Sequence, residues 1–359
     1  MKLNRIQLKN FRNYENLLLD FHPNLNIFLG QNAQGKTNIL ESIYFLALTR
    51  SHRTSHDSEL IRWNTERMRV IGEIEKRGSK IPLELELDKR GRHAKVNHLQ
   101  EKRIADYIGQ LNVVMFAPED LELIKGAPAK RRRFIDMELG QIKAVYLYDS
   151  MRYNRALRER NAYLKEFSQK IDPIFLDVLD EQLVEFGNKV MDARSEFVAK
   201  LGETAAEIHL QLTHQIENLS IAYVKSVKDD FAGELKAART KDIARRQTSL
   251  GPHRDDLQFF INDINVANFG SQGQQRTVTL SLKLAEIELI HAETREYPIL
   301  LLDDVMSELD NTRQLDLLET SIGKTQTFLT TTTLDHLNNL PEDLKIFTVD
   351  DGKITHENG

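Results

Sequence analysis

The stretch Gly270-Ser271-Gln272-Gly273-Gln274-Gln275-Arg276 decides how this chain is interpreted, once it is considered with two other segments. One is GQNAQGKT at residues 30–37, and the other is ILLLDD at residues 299–304. Each segment alone has an ordinary structural explanation: a glutamine-rich turn before a helix, a glycine turn, and a strand that ends in two solvated acids. Their occurrence together, in this order, predicts a nucleotide-binding protein.

The segment at residues 30–37 has the spacing of a phosphate-binding loop: glycine, four residues, glycine, lysine, threonine. A short apolar run precedes it, and apolar residues at helical spacing follow it. In such a loop backbone N–H groups point at phosphate oxygens, and the next helix adds the positive end of its dipole. Lys36 can neutralise the terminal phosphates, and the Thr37 hydroxyl can bind Mg²⁺. The predicted nucleotide contacts here are Gly30, Gln31, Asn32, Ala33, Gln34, Gly35, Lys36, Thr37 and Asn38.

The apolar run at residues 299–302 predicts a buried strand that ends at Asp303. Nucleotides bind at the carboxyl ends of strands in open α/β folds. Asp303 can therefore hold Mg²⁺ through water, and Asp304 can polarise the water that attacks the terminal phosphate. Asp304 and Lys36 are the predicted catalytic residues.

The pattern of apolar residues predicts sheets at both ends of the chain and helices between them. Alternation in the first 30 residues and over residues 68–97 indicates strands, with an antiparallel hairpin turning at residues 88–91. From about residue 119 to 217 apolar residues recur every three or four positions. The helical segments expected there are 138–168 and a long one at 179–212, separated by Asp172-Pro173. Strands are expected again near 221–227 and 257–266, followed by a helix from Gln274 to about Ala292.

Composition and charge limit the class of protein. The 359 residues are 40% hydrophobic and 29% charged, which is typical of a globular protein with two or three domains. The longest apolar run, residues 43–48, is too short to cross a membrane, and no secretion signal is visible, so we expect a cytosolic protein. The absence of cysteine excludes disulfides and thiol nucleophiles. A net charge of -5 does not favour nucleic-acid binding, although phosphate contacts depend on local charge.

The separation of the phosphate loop from the acidic strand by a helical insert resembles the ATPase heads of the ABC class, especially those with helical arms that act on chromosomes. The resemblance implies an α/β fold: a mixed sheet with the phosphate loop, an antiparallel β lobe and an inserted α-helical lobe. It also implies that Ser271, Gly273 and Gln274 belong to a signature loop that reaches the γ-phosphate held by a second subunit. Ser307-Glu308-Leu309-Asp310 resembles the loop that couples the two sites of such dimers.

The implied division of the chain has three parts. Residues 1–118 form the first part of the ATPase head, residues 119–249 the helical insert with its hairpin, and residues 250–359 the second part of the head with the signature loop and the acidic strand.

Several motifs, taken in order, resemble the RecF family of recombination mediators from end to end. They are GQNAQGKTN at 30–38, PEDL at 118–121, RRRFID at 131–136, GPHRDD at 251–256, GSQGQQR at 270–276 and LLLDD at 300–304. The resemblance implies a cytoplasmic, nucleoid-associated protein of DNA replication, repair and the SOS response. Such a protein binds single-strand/duplex junctions in DNA, dimerises with ATP and Mg²⁺, hydrolyses ATP slowly, and helps RecO and RecR to load RecA.

Two departures from the wider ABC pattern concern the γ-phosphate switch. Residues 328–333 offer hydroxyl groups where a histidine is expected, and His336 lies farther on. No glutamine loop follows the strand that ends near Phe116. Both absences suit slow hydrolysis, with Thr331 as a weak sensor.

Arg254 of the GPHRDD motif is a further nucleotide or interface candidate, and Trp63 is expected to pack rather than to stack on a base.

Clusters of basic residues are the candidate contacts to DNA phosphates, through backbone and shape rather than base sequence. Each cluster has an alternative explanation as a solvated surface, because the chain has 49 Lys and Arg residues to place. The principal candidates are Arg50, Arg53, Lys130, Arg131, Arg132, Arg152 and Arg155, with Arg133, Arg158, Arg160, Lys241, Arg245 and Arg246 as further members of the same clusters.

Two other functions compete with an ATP-gated DNA clamp. An ATPase subunit of a transporter would need a glutamine loop and a switch histidine, and co-purification with a membrane protein would favour it. An ATP-dependent nuclease would need a further acidic metal site, and DNA cleavage with Mg²⁺ would favour it.

Overall fold

A computed structural model describes residues 1–166, 171–307, 313–314, 317, 323–334 and 343–358. The chain divides into two compact units. We call Met1–Asp120 with Leu280–Gly359 the sheet unit, and Leu121–Thr279 the helical unit. Among the described residues, no helix combines the length and the apolar character needed to span a bilayer.

The secondary structure follows the predicted order. The described strands are β1 Lys2–Phe11, β2 Tyr14–Asp20, β3 Leu25–Leu29, β4 Met68–Lys76, β5 Ser79–Asp88, β6 Gly91–Val96, β7 Leu99–Gln100, β8 Val113–Phe116, β9 Leu219–Val224, β10 Asp256–Ile261, β11 Ile264–Asn265, β12 Ile299–Asp303, β13 Thr327–Thr331, β14 Leu344–Asp350 and β15 Lys353–Asn358. The described helices are α1 Lys36–Leu48, α2 Ile104–Tyr107, α3 Glu122–Lys125, α4 Pro128–Ile142, α5 Ala144–Glu166, α6 Pro173–Leu212, α7 Phe231–Arg245, α8 Val266–Phe269 and α9 Gln272–Thr294.

The central sheet of the sheet unit is mixed, with the strand order β15-β14-β3-β13-β12-β8. Every neighbouring pair is parallel except β14 and β15. All five residues of β12 are buried, which agrees with the continuous apolar run of a strand covered on both faces. The sheet thus brings the carboxyl ends of β3, β12 and β13 to one edge, where β3 leads into the phosphate loop.

A second sheet of the sheet unit is antiparallel, with the order β2-β1-β4-β5-β6-β7. The predicted hairpin is its β5–β6 pair, in which Asp88 lies opposite Gly91. The hairpin is part of a larger sheet, because β4 also pairs with β1 along nearly its whole length. This sheet is the predicted β lobe.

The helical unit contains the predicted hairpin of α5 and α6, and α6 is 40 residues long. Its start is well defined: Asp172 is the N-cap, its carboxylate accepts a hydrogen bond from the backbone N–H of Ile174, and Pro173 follows at the first helical position. Residues 167–170, between the two helices, lie outside the described part of the chain.

Two features between residues 225 and 270 differ from the sequence prediction. The helix α7 was not expected, because Phe231 and Leu235 are its only buried apolar residues and the apolar pattern is therefore weak. The strand predicted at 257–266 is a hairpin of β10 and β11. It turns at Asn262 and Asp263, which have φ values of 47° and 65°, and this left-handed geometry is typical of tight hairpin turns.

The second boundary between the compact units lies later than the predicted boundary at residue 250. Residues 250–279 belong to the helical unit by contact, because β10 pairs with β9 along its whole length and Arg131 of α4 forms an ion pair with Asp256. The first boundary, at Asp120, lies close to the predicted one. The functional grouping of residues 250–359 stays a prediction.

A fully buried arginine joins three segments of the helical unit. Arg160 of α5 donates to Asp180 of α6 at 2.6 Å and to Asp242 of α7 at 2.9 Å. It also donates to the hydroxyl of Thr248 at 2.9 Å. Arg160 and Asp242 are both 0% exposed, so their charges are compensated by one another and by neighbouring groups rather than by water. The network fixes α7 against the helical hairpin.

Replacing Asp242 with Ala should destabilise the helical unit by about 3–5 kcal/mol, because it leaves a buried arginine with half of its charge compensation. Urea unfolding followed by circular dichroism measures the change. The matched control is Glu159→Ala, which removes the exposed pair with Arg155 and should change stability by about 0–1 kcal/mol. Equal effects of the two substitutions would contradict the structural role of the network.

Candidate nucleotide site

The phosphate loop lies between β3 and α1, as predicted. The ammonium group of Lys36 is held inside the loop, where it donates to the carbonyl of Gly30 at 2.6 Å and to that of Gln31 at 2.9 Å. Lys36 is only 3% exposed, and burial lowers its pKa, while the nearby charges of Asp304 and Asp303 oppose this effect. The loop therefore presents a positive charge close to the two acids at the carboxyl end of β12.

Both glycines of the motif are required by close contacts. A Cβ at Gly30 would lie 2.3 Å from the carbonyl oxygen of Val349 in β14. At Gly35, where φ is 109°, it would lie 2.6 Å from the side-chain nitrogen of Asn13 and 2.8 Å from the hydroxyl of Tyr14. Any larger residue would push the loop away from the sheet or force its backbone into a strained conformation.

A hydroxyl and a carboxylate meet where the loop enters α1. The Thr37 hydroxyl donates to Asp303 at 2.9 Å. Asp303 is 6% exposed, and burial raises the pKa of its carboxyl, although the hydrogen bonds from Thr330 and Thr37 act in the opposite direction. Magnesium prefers hard oxygen ligands and retains several waters, so this pair, together with phosphate oxygens, fits Mg²⁺. These are the two residues that the sequence assigns to the metal.

Thr330 is a site residue that sequence reasoning missed. It lies beside Asp303 in the parallel register of β12 and β13, and its hydroxyl donates to the Asp303 carboxylate at 2.9 Å. The same hydroxyl accepts the backbone N–H of Asp304 at 2.9 Å. Thr331, the predicted sensor, instead donates to the carbonyl of Thr333. The only sequence signal for Thr330 is its place in the strand next to the acidic strand.

Asp304, the predicted base, follows the last residue of β12 in the left-handed region, with φ of 51°. This conformation is uncommon for residues other than glycine, and such strain is concentrated at functional sites. The bond from its N–H to Thr330 holds this turn in place. Asp304 is half-buried at the carboxyl end of the strand, which is the position that a base acting on the terminal phosphate requires.

The predicted signature loop begins α9. Ser271 and Gln274 form a capping box: the Ser271 hydroxyl accepts the N–H of Gln274 at 3.1 Å, and the Gln274 side chain accepts the N–H of Ser271 at 2.9 Å. The Ser271 hydroxyl hydrogen is not used in this arrangement. Ser271 is exposed, so the positive end of α9 and this hydroxyl face solvent.

Neighbouring residues of the helical unit hold the signature loop in this shape. The Gln275 side chain donates to the carbonyls of Gly270 at 3.0 Å and Val266 at 3.3 Å. The Gln274 side chain donates to Glu217 at 2.9 Å. A Cβ at Gly270 would lie 2.7 Å from the carbonyl oxygen of Val266, so glycine is required there. The glutamines of the motif therefore have a structural role.

Three arginines that were candidate DNA contacts are used inside the helical unit. Arg131 is 8% exposed and binds Asp256 through two hydrogen bonds of 2.6 and 3.0 Å, and also the carbonyl of Gly126. Arg160 is the buried centre of the network described above. Arg132 is half-buried and donates to the carbonyl of Asp255. The prediction of a DNA contact is therefore wrong for Arg131 and Arg160, whose donors face the interior, and Arg132 is a weak candidate.

The other principal candidates are exposed. They are Lys130, Arg152 and Arg155 in the helical unit, and Arg50 and Arg53 in the sheet unit. Arg152 lies over the ring of Tyr148 at 4.7 Å, and Arg155 pairs with Glu159 on the same helix. Both guanidinium groups remain accessible to a phosphate.

The GPHRDD motif is largely structural. Asp255 accepts the hydroxyl of Tyr223 and the N–H of Ser226, and Asp256 pairs with Arg131. His253 lies 2.6 Å from the Tyr153 hydroxyl, and burial lowers its pKa to about 4, so its ring is neutral near pH 7. Arg254 is exposed and donates to the carbonyl of Thr248 at 3.2 Å.

Two further predictions concern residues elsewhere. Trp63 does not pack in the interior: it is 90% exposed, which corrects the sequence-based expectation. The coupling loop predicted at Ser307-Glu308-Leu309-Asp310 falls mostly on residues 308–310, which with His336 lie outside the described part of the chain.

The mixed sheet, the phosphate loop, the acidic strand and the helical insert are those of an ATPase head, and the family model RecF/RecN/SMC N terminal domain matches residues 2–355. The DNA replication and repair protein RecF of Lactococcus lactis subsp. cremoris strain MG1363 is 71% identical over 357 residues, covering 99% of each chain.

Solved structures agree with this class. The structure of the recombination mediator protein RecF-ATP in the RecFOR pathway superimposes with a TM-score of 0.92 at 33% identity, covering 100% of this chain and 98% of that chain. The Smc head domain of Pyrococcus furiosus shares the fold, with a TM-score of 0.54 at 16% identity over 98% of this chain and 94% of that chain. The chain belongs to the RecF family, and the predicted fold class is confirmed.

Replacing Thr330 with Val should raise the Mg²⁺ concentration needed for half-maximal nucleotide binding about tenfold, because a hydrogen bond to a charged group contributes about 1.5 kcal/mol. A magnesium titration at fixed ATP measures this change. Thr331→Val is the matched control, since among its described partners the Thr331 hydroxyl contacts only the backbone carbonyl and N–H of Thr333. An equal response of the two variants would show that Thr330 does not hold Asp303.

Proposed function

We propose that this chain is an ATP-dependent DNA-binding protein of recombinational repair. In this proposal two copies close around two ATP molecules, bind gapped DNA or single-strand/duplex junctions, and assist the loading of a recombinase. Slow, DNA-stimulated ATP hydrolysis reopens the pair, so the ATPase acts as a switch rather than as a source of product. RecO and RecR are the proposed partners, because the similar RecF-ATP structure is described within the RecFOR pathway.

The observation that carries this proposal is the 2.9 Å contact between Thr37 and Asp303 beside the buried ammonium of Lys36. These groups supply what a nucleoside triphosphate with Mg²⁺ requires: a cation for the terminal phosphates, and two oxygens that can bind the metal directly and through water. The RecF-ATP relative supports ATP as the nucleotide.

The proposed chemistry relies on positioning and electrostatics. Lys36 and the loop N–H groups stabilise the negative charge that develops on the terminal phosphate oxygens. Thr37 and Asp303 would hold Mg²⁺, which would supply positive charge to the phosphates. Asp304 orients the attacking water and accepts its proton. The Asp304 side chain is one methylene shorter than the glutamate of the wider class, and this shorter reach agrees with slow hydrolysis. Thr330 holds the backbone of Asp304 in place.

The proposed dimer rests on the exposed start of α9. Ser271 is exposed at the start of α9, where the positive end of the helix suits an oxyanion. A γ-phosphate bound in the loop of one chain would be such an anion for the other chain. The proposal therefore assigns Ser271, Gly273 and Gln274 to the nucleotide of the partner copy.

The proposed DNA contacts are exposed basic side chains within each unit. Lys130, Arg152 and Arg155 are accessible in the helical unit, and Arg50 and Arg53 in the sheet unit. Such groups contact the phosphate backbone and do not read base sequence. The proposal therefore gives DNA shape, rather than sequence, as the recognised feature.

Replacing Ser271 with Arg should leave ATP binding nearly unchanged and abolish ATP-dependent dimers, because the bulky cation blocks the approach of the second chain's nucleotide. Sedimentation velocity with ATP, ADP and no nucleotide, with and without gapped DNA, reports both states. Lys36→Ala is the contrasting variant, and it should lose nucleotide binding itself. Dimers of the Ser271→Arg variant in ATP would end the assignment of the signature loop.

Binding to gapped DNA should weaken steeply with salt. If about six phosphates are contacted, the association constant should fall roughly a thousandfold between ~50 and ~200 mM salt, because each contact releases condensed counterions. Fluorescence anisotropy of a labelled gapped duplex measures the slope in the presence of ATP. Arg155→Ala should reduce the slope of log K against log salt concentration by about one, which is the contribution of one phosphate contact. A flat salt response would contradict the proposed surface.

A further inference from the structure

We propose that Glu217 is a positioning residue of the signature loop, and that it ties the start of α9 to the last turn of α6. Through this tie the helical hairpin controls how Ser271 is presented to a second copy of the chain. The inference rests on the proposed function, since it assumes that the signature loop meets the nucleotide of the partner copy and that the hairpin carries DNA. It adds the residue that regulates this loop.

The Gln274 side chain is held at both of its polar atoms. Its amide oxygen accepts the N–H of Ser271 at 2.9 Å, and its amide nitrogen donates to a carboxylate oxygen of Glu217 at 2.9 Å. Contacts on both atoms of the planar amide fix its rotation about the last side-chain torsion. Because the carboxylate acceptor is charged, its contact is the stronger of the two. The backbone position of Ser271 therefore depends on where Glu217 lies.

The Glu217 carboxylate is in turn held by α6. Its second oxygen lies 3.2 Å from Nε2 of His209, which is in the last turn of α6. The backbone N–H of Glu217 also donates to the hydroxyl of Thr213 at 3.4 Å, and this hydroxyl donates to the carbonyl of His209 at 2.7 Å. The side chain and the backbone of Glu217 are thus both attached to the same end of the helix.

His209 is an uncharged anchor for this carboxylate. It is 0% exposed, and burial lowers its pKa, while Glu217 acts in the opposite direction. The ring is therefore neutral near pH 7, and because a carboxylate can only accept, Nε2 carries the proton. The contact needs no change of protonation, so a displacement of the helix end carries Glu217 with it.

The turn after α6 leaves little slack between His209 and Glu217. The residues His214 and Gln215 have φ values of 51° and 68°, and left-handed backbone of this kind closes the end of a helix. The N–H of Gln215 donates to the carbonyl of Leu210 at 2.8 Å, which holds the turn against the helix. Glu217 therefore follows α6 rather than moving independently of it.

The same helix also contacts a candidate DNA residue. The exposed Arg152 of α5 lies over the ring of Phe186 in α6 at 5.3 Å. Phe186 and His209 belong to one uninterrupted helix, and at about 1.5 Å per residue they are roughly 35 Å apart along its axis. A phosphate that binds Arg152 therefore acts on the helix that holds Glu217.

The signature loop can fold without Glu217, which separates positioning from stability. The Glu217 side chain is 20% exposed, so water can replace it as a partner after a substitution. The loop also keeps the capping contacts between Ser271 and Gln274, and the bonds of the Gln275 side chain to two backbone carbonyls. Loss of Glu217 should therefore leave the loop folded and loosen the Gln274 amide.

Sedimentation velocity of the full-length protein in MgATP tests the role of Glu217 in the dimer. Glu217→Ala should raise the dissociation constant of the ATP-dependent dimer roughly tenfold, which is the effect of losing one hydrogen bond to a charged acceptor. Calorimetry on the monomer should give this variant the ATP affinity of the wild-type chain, because the phosphate loop belongs to the sheet unit. Glu207→Ala removes an exposed carboxylate from the same helix and is the matched control, which should dimerise normally.

The response to DNA is a readout that a purely structural role would not change. A gapped duplex should tighten the ATP-dependent dimer of the wild-type chain, and ATP should tighten DNA binding by the same factor. Fluorescence anisotropy of the labelled duplex measures the second factor. In Glu217→Ala both factors should fall toward one, while DNA binding without nucleotide stays unchanged.

Two more variants show how Glu217 acts. In a Gln274→Ala background, Glu217→Ala should have no further effect on the dimer, because the amide that it holds is gone. Glu217→Gln keeps an uncharged acceptor for Gln274, so the dissociation constant should rise only about threefold. The Glu217→Gln variant also decides the question if urea unfolding shows that Glu217→Ala does not fold.

Three results would overturn the inference. They are wild-type dimers and a wild-type DNA response in both Glu217 variants, equal effects of Glu217→Ala and Glu207→Ala, and additive effects of the Glu217 and Gln274 substitutions. Absence of ATP-dependent dimers from the wild-type chain would instead reject the proposed function, and the inference with it.

Discussion

The hydrogen bond from Thr37 to Asp303 is the contact on which the rest of the nucleotide site depends. The two residues are 266 positions apart in the sequence, and only the parallel central sheet brings them together. The β3 strand delivers the loop, the neighbouring β13 delivers Thr330, and β12 delivers the acids, all at the same edge. Because each strand is covered on both faces, a shift in any register would expose apolar side chains as well as separate the polar groups. The same strand registers therefore determine both the stability of the sheet and the geometry of the site.

The helical unit is organised by a different interaction, the enclosure of arginine charge. Arg160 and Arg194 are buried, and each is compensated by carboxylates from other segments: Asp180 and Asp242 for Arg160, and Asp136 for Arg194. Apolar packing tolerates small rotations of a helix. Hydrogen bonds from a guanidinium group to carboxylates are directional, so they fix the rotation of the helices that carry them. The basic residues of this unit thus fall into two sets, one that sets the positions of helices and one that remains on the surface.

Sequence patterns predicted the architecture because the signals were local and strong. The glycine spacing of residues 30–37, the apolar run before Asp303 and the long periodicity of α6 each depend on residues close together in the chain. The failures were not local. Whether an arginine such as Arg131 is buried depends on Asp256, far along the chain, and the role of Thr330 depends on which strands are neighbours. The exposure of Trp63 could not be inferred either, since an aromatic residue alone more often indicates a core.

The place of β3 in the central sheet has a consequence for biosynthesis. This strand lies between β13 and β14, both of which follow it far along the chain. Until residues 327–350 leave the ribosome, β3 lacks both of its neighbours and Gly30 lacks the backbone of Val349 against which it rests. Antiparallel pairing of β1, β2 and β4–β6 can begin early, since it involves short separations along the chain. During translation the phosphate-loop motif is therefore made long before the strands that complete its surroundings.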